Sequence, residues 1–157
     1  MNWDAIGAIS EAIGAAGVIA SLLYLAVQIR SSTRASAVES KLASTRFYTE
    51  FFGSLVESPE LNELMMRGRK SLETLSPEEY YRFSNLVFQA FSFFSAGYFQ
   101  VRQGTLSEQD WFEGRAILRY WLRGPGVQQW WSKVAKPMFG TDFVAFIEAE
   151  IRDIDAA

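Results

Sequence analysis

The sequence predicts an all-α protein in which a single N-terminal transmembrane helix continues into a small, aromatic-rich cytoplasmic helical bundle. Residues 12–29 form an 18-residue stretch without a charged side chain. Helix start and stop signals recur along the rest of the chain, and no segment alternates polar and apolar residues as a strand would. The 157 residues are 49% hydrophobic and 21% charged, which a disordered chain is not.

Charge and missing residue types exclude several function classes. The chain carries 15 basic and 18 acidic residues, so its net charge of −3 disfavours nucleic-acid binding. It contains no Cys and no His, which excludes disulfides, thiol nucleophiles, Ser–His dyads and histidine metal sites. The one Gly-x-Gly, at residues 124–126, contains a proline that removes a phosphate-binding N–H. We therefore expect no catalytic, cofactor-binding or metal site, and a protein that is not an enzyme.

Residues 1–30 are predicted to form a transmembrane anchor. The uncharged stretch would be roughly 27 Å long as a helix, close to the hydrocarbon thickness of a bilayer. A cleaved signal peptide is one alternative, but it needs a basic start, and the first ten residues contain Asp4 and no Lys or Arg. The buried helix of a soluble domain, the other alternative, would seldom lack charge for five turns.

The charges that flank this stretch predict its orientation. Arg30, Arg34, Lys41 and Arg46 follow it, against Glu39 alone. The positive-inside rule then places the N-terminus outside and the bulk of the chain in the cytoplasm, as a single-pass membrane protein.

Small residues recur within the anchor at the spacing of a helix-packing seam. These residues, which alternate between three and four positions apart, are Gly7, Ser10, Gly14, Gly17 and Ser21. Such a row lets another helix approach closely in lipid, which predicts self-association or packing against a partner helix.

The anchor also contains the polar residues Glu11, Tyr24 and Gln28. If the hydrocarbon begins at Ala12, Glu11 lies at the outer headgroup level. If it lies deeper, it would form a ring in a parallel oligomer or pair with a partner's cation.

Residues 31–57 are predicted to continue the helix beyond the membrane, as a juxtamembrane segment. Apolar and threonine side chains keep helical spacing in two rows, Val38, Leu42, Thr45, Thr49 and Phe52 in one, and Phe47, Phe51 and Leu55 in the other.

Residues 58–157 are predicted to form the helical bundle. Serines at 58, 76 and 107 begin helices, and the first of these helices is expected to stop at Gly68. The second runs from Pro77 to Gln103, and the third ends before the Gly-Pro-Gly of residues 124–126. Two more helices are expected, over about 126–135 and 142–154.

Aromatic residues are concentrated in this bundle. Residues 84–101 lack charge, which favours a central core helix, with a second membrane span as the alternative. Predicted core positions in the following helices are Phe112, Trp121, Trp130, Trp131, Phe139, Phe143 and Phe146. Trp130 and Trp131 lie near Lys133 and Lys136, which makes this pair a candidate contact with the membrane surface or a partner.

The chain resembles a group of uncharacterised bacterial proteins. The matching features are Trp3, Ile9-Ser10-Glu11-Ala12-Ile13-Gly14, Ser21 to Leu25, Gln28-Ile29-Arg30 and Thr33, followed by Ser-Pro-Glu-Glu at 76–79, Gly104-Thr105-Leu106, the Trp111 segment and Trp130-Trp131. The resemblance implies one N-terminal helix in the bacterial inner (plasma) membrane and a small helical cytoplasmic domain. It implies no activity.

Three functions agree with these features. The favoured one is a membrane-anchored assembly or accessory protein that self-associates, or joins a larger membrane complex, with lipids as its other contacts. The second is a small homo-oligomeric pore with Glu11 near the lumen. The third is a lipid or small-molecule sensor that uses the aromatic helix as a pocket.

Overall fold

The computed structural model describes the backbone of residues 3–157 and the side chains of Glu11 and residues 14–157. Within residues 3–157 the chain is all-helical, without a strand, as predicted. The six α-helices of the described backbone are α1 (Trp3–Glu57), α2 (Pro59–Lys70), α3 (Pro77–Arg102), α4 (Glu108–Leu122), α5 (Pro125–Trp130) and α6 (Thr141–Asp155). A π-helical turn at Trp131–Ala135 follows α5 directly.

The predicted serine caps are present. Ser58 and Ser107 accept hydrogen bonds from backbone N–H groups in the first turns of α2 and α4. Ser76 forms a capping box with Glu79, whose carboxylate accepts from the Ser76 N–H at 2.9 Å. A hydrogen bond from Arg67 of α2, more than the Ser76 contacts, lowers the pKa of Glu79 to about 2. One glutamate therefore both caps α3 and pairs it with α2.

The predicted stop at Gly68 is wrong, because α2 continues through it to Lys70. Gly68 is buried, and a Cβ added there would lie 2.3 Å from the Phe83 ring of α3. A Cβ on Gly126 of α5 would lie 1.8 Å from the carbonyl oxygen of Gly68. Both glycines serve close helix packing, and Gly68 does not end the helix.

The chain divides into two compact units, the first ending at Ser40 and the second running from Lys41 to Ala157. We call the second unit the helical body. The last part of α1 belongs to it, since the Phe47 ring stacks on Phe93 at 4.0 Å and Phe51 packs edge-on against Trp121.

Helix α3 lies in the core of the helical body. Its buried side chains are Phe83, Val87, Ala90, Phe91 and Phe94, as predicted for a core helix. Among the described residues, only α1 is long and apolar enough to cross a membrane, so α3 is no second span by this criterion. The predicted core position of Phe112 is wrong, because this side chain is 67% exposed.

A buried charge joins α4 to α6. Glu150 is only 2% exposed, and its carboxylate accepts from Arg115 Nε at 2.7 Å and from Arg119. Burial of an unpaired carboxylate would destabilise the fold, because the charge loses its hydration. The two arginines compensate this desolvation penalty.

Substitution Gly126→Ala tests the close approach of α2 and α5. The added methyl group meets backbone that cannot rotate away, so we expect a loss of about 2 kcal/mol or more in the free energy of unfolding. The matched control is Gly53→Ala, where nothing lies within 4 Å of the new Cβ. Alanine should stabilise that helical site by about 0.5–1 kcal/mol. Thermal unfolding of the full chain in detergent, followed by tryptophan fluorescence, measures both, and equal midpoints for the two variants would contradict the packing.

Candidate functional site

The first notable surface is the apolar stretch of α1. Its large side chains, between 50% and 67% exposed, are Val18, Ile19, Leu22, Leu23, Leu25, Val27 and Ile29. Residues 14–57 of α1 contain an 18-residue window of mean hydropathy 1.4, and none of that window is buried. By length and composition this helix could cross a membrane.

The described part of the predicted seam lies open on α1. Gly14, Gly17 and Ser21 share a face, since they are three and four residues apart. Nothing lies within 4 Å of a Cβ placed on either glycine. The Ser21 hydroxyl donates to the Gly17 carbonyl oxygen at 2.8 Å, so the chain itself satisfies this polar group. The other two seam residues, Gly7 and Ser10, lie outside the residues whose side chains the structure describes.

The polar residues predicted for the anchor are not covered by other parts of the described chain. Glu11, Tyr24 and Gln28 are all exposed, Tyr24 by 69%. Tyr24 and Gln28 continue the three- and four-residue spacing of the seam. The two placements of Glu11, at the headgroup level or near the lumen of a pore, stay predictions.

The predicted contact surface at Trp130 and Trp131 is wrong, because both side chains are buried, with 0% and 1% exposed. Each ring centroid lies 5.4 Å from that of Phe91, and Trp131 also stacks on Phe139. Trp130 Nε1 donates to Ser84 Oγ at 2.7 Å, which satisfies the indole inside the core. The aromatic residues of α3 and of the segment after the π turn enclose the pair, so core packing is their role.

A narrow cleft in the helical body holds several ionisable groups. The Lys41 ammonium lies 2.9 Å from Glu113 and 3.6 Å from Asp110, and the hydrogen bond to Glu113 raises its pKa. Burial, more than the Glu113 charge, raises the pKa of Tyr48 to about 12. Neither residue therefore supplies a neutral amine or a phenolate at neutral pH. The cleft encloses about 60 Å³, far below the roughly 300 Å³ of a typical ligand pocket.

Two larger cavities have volumes in the range of ligand sites. One, of about 530 Å³, is lined by Trp131, Lys136, Glu148 and Arg152 among others, and a hydrogen bond from Lys136 lowers the pKa of Glu148. The other, of about 520 Å³, has Phe52, Val56, Met66 and Tyr120 in its lining. Within the described residues, no group of three or more acidic side chains could hold a metal ion.

The two rows of residues 31–57 have different environments. Phe51 is buried, and Phe47 and Leu55 pack against the core. The other row stays exposed, with Val38 at 56% and Leu42 at 54%. The sequence shows both rows, but both keep helical spacing, so only burial distinguishes the row that packs on the core from the exposed one.

Comparison of the chain with protein-family models, with curated proteins and with solved structures finds no match.

Proposed function

We propose that this chain is a membrane-anchored, non-enzymatic assembly or accessory protein that self-associates, or joins a larger membrane complex, through the small-residue seam of α1. The observation that carries the proposal is the exposed, uncharged stretch of residues 14–29. In this proposal residues 5–30 of the anchor cross the membrane, and the helical body lies on the cytoplasmic side of a bacterial inner membrane.

The energetics favour lipid as the environment of this stretch. Its seven large aliphatic side chains remain at least half exposed, and covering them is worth on the order of 10 kcal/mol. That amount is comparable with the whole stability of a typical domain. A helix also satisfies its own backbone hydrogen bonds, as a lipid-embedded segment must.

The flanking charges support the orientation. Arg30 and Arg34 lie directly after the apolar stretch, and both are exposed. Cations on this side favour retention in the cytoplasm.

The open notch at Gly14, Gly17 and Ser21 supports helix association. The small side chains at these positions let two helix backbones approach closely. Because lipid tails are as apolar as the helix itself, the hydrophobic effect does not drive helix association in lipid, and this close packing does. Because the Ser21 hydroxyl already donates to the Gly17 carbonyl oxygen, it would not need a hydrogen-bond partner in such an interface.

Membrane insertion is tested with Leu22→Arg/Leu23→Arg. Two central arginines cost about 5 kcal/mol or more on insertion, so most of the chain should leave the membrane pellet after alkaline carbonate extraction. Ser36→Arg/Ala37→Arg adds the same charge outside the apolar stretch and should stay membrane-bound. Wild-type protein that is released by carbonate, or purified as a soluble species without lipid or detergent, would contradict the anchor.

Association through the seam is tested with Gly17→Leu. The larger side chain fills the notch, and we expect at least a tenfold weaker association, measured by energy transfer between labelled full-length chains in lipid vesicles. Ala16→Leu adds a similar bulk one position off the seam and should leave the association within about twofold. Equal effects of the two substitutions would show that association uses another face.

A further inference from the structure

Helix α1 carries an apolar row beyond the membrane stretch that its own chain does not cover. The large hydrophobic side chains left exposed on residues 31–57 are Val38, Leu42, Phe52 and Val56. Val56 is the most exposed of them, at 83%. Leu42, Phe52 and Val56 share one face of the helix, and Val38 keeps the same helical spacing in the sequence. Phe47, Phe51 and Leu55 on another face pack against the core of the helical body.

This row has the same seven-residue register as the small-residue seam. Steps of seven from Gly14 lead through Ser21, Gln28 and Ala35 to Leu42, Thr49 and Val56. Steps of seven from Gly17 lead through Tyr24 and Ser31 to Val38, Thr45 and Phe52. These two series are the a and d positions of a coiled coil, with small residues in the predicted membrane part and larger ones beyond it.

The polar members of the row are satisfied by their own helix. Thr45 Oγ1 donates to the Lys41 carbonyl oxygen at 3.0 Å, and Thr49 Oγ1 donates to that of Thr45 at 2.9 Å. Their hydroxyls therefore need no partner across an interface, and their methyl groups extend the apolar face between Leu42 and Phe52.

Charges beside the row fit a second, parallel copy. In a parallel pair, a g residue of one helix faces the e residue five positions later on the other. Arg34 is at g and Glu39 is at e, so each Arg34 would face the Glu39 of the other copy. The same rule places Lys41 opposite Arg46, but Lys41 already pairs with Glu113 and Asp110 in its own chain. In an antiparallel pair, the small residues of the seam would not face each other, and Arg34 would not face Glu39.

We propose that residues 35–56 of α1 form a parallel, in-register coiled coil with a second copy of this chain, continuing the seam beyond the membrane. The inference rests on the proposed anchoring, because two anchors inserted with the same orientation make their helices parallel. A strict seven-residue repeat over this length would wind the pair into a left-handed supercoil. The row ends at Phe52 and Val56, which also line the 520 Å³ cavity, so the second copy would cover part of that cavity.

The chain lacks cysteine, so single-cysteine variants report contacts cleanly. Leu42→Cys and Val56→Cys place thiols on the row, and Ala43→Cys and Glu50→Cys place exposed thiols on the opposite side of the same helix. Ser21→Cys reports the membrane seam. The full-length variants are oxidised in lipid nanodiscs, and disulfide-linked dimer is measured by non-reducing electrophoresis, with near-ultraviolet circular dichroism as the check on folding. Disulfides need Cα atoms within about 7 Å, which facing a and d positions approach.

We expect the Leu42, Val56 and Ser21 variants to form dimer at least five times faster than the two controls. If Ser21→Cys forms dimer and the Leu42 and Val56 variants do not, the membrane seam stands and the coiled coil is wrong. If the row variants form dimer and Ser21→Cys does not, the coiled coil stands and packing at the seam is wrong. Equal rates at Ala43 and Glu50, or linkage only to a protein of different mass, would overturn the second-copy assignment.

The charge pair has its own readout in the Leu42→Cys background. Arg34→Glu should slow dimer formation several-fold, and adding Glu39→Arg should restore it, because the pair is then reversed. Failure of the second substitution to restore the rate would contradict the parallel register.

Discussion

The dominant physical constraint on this chain is the apolar surface of α1, much of which its own residues leave exposed. Residues 14–29 carry no charge and lie fully outside any core. The hydrophobic effect penalises exposure of this surface to water by an amount comparable with the whole stability of a small domain. The proposed membrane insertion would remove this surface from water, and the small residues on one face would then let a second helix approach closely.

The helical body, in contrast to the exposed part of α1, packs many large aromatic rings inside a small core. Phe91 lies at the centre of this core, with Trp130, Trp131 and Phe94 all within 6.2 Å of its ring centroid. Close helix approach at Gly68 and Gly126 and the buried Glu150 with its two arginines complete the core. Tertiary packing accounts for most of the aromatic residues, although Phe99 and Phe112 stay exposed. The exposed row on α1 is mainly aliphatic.

Local signals made much of this fold predictable. Serine caps followed by proline or acidic residues marked the starts of α2, α3 and α4, and the uncharged run in α3 marked a core helix. The sequence cannot distinguish the role of Gly68, because a glycine that permits close packing has the same sequence signal as one that ends a helix. The burial of Trp130 and Trp131 depends on Phe91 of α3, which is distant in sequence, so the neighbouring lysines indicate a surface pair where the structure has a buried one. The exposed row on α1 was visible as spacing, but only the packing of Phe47 and Phe51 showed which row was free.

We propose that this chain is anchored by its transmembrane helix and pairs with a second copy of itself, and native mass spectrometry of the full-length protein released from lipid nanodiscs tests this pairing. We expect a species at twice the 17.8 kDa chain mass or a larger complex that contains such pairs. A monomer that persists at all protein-to-lipid ratios, or a complex that holds a single copy of this chain, would contradict the pairing.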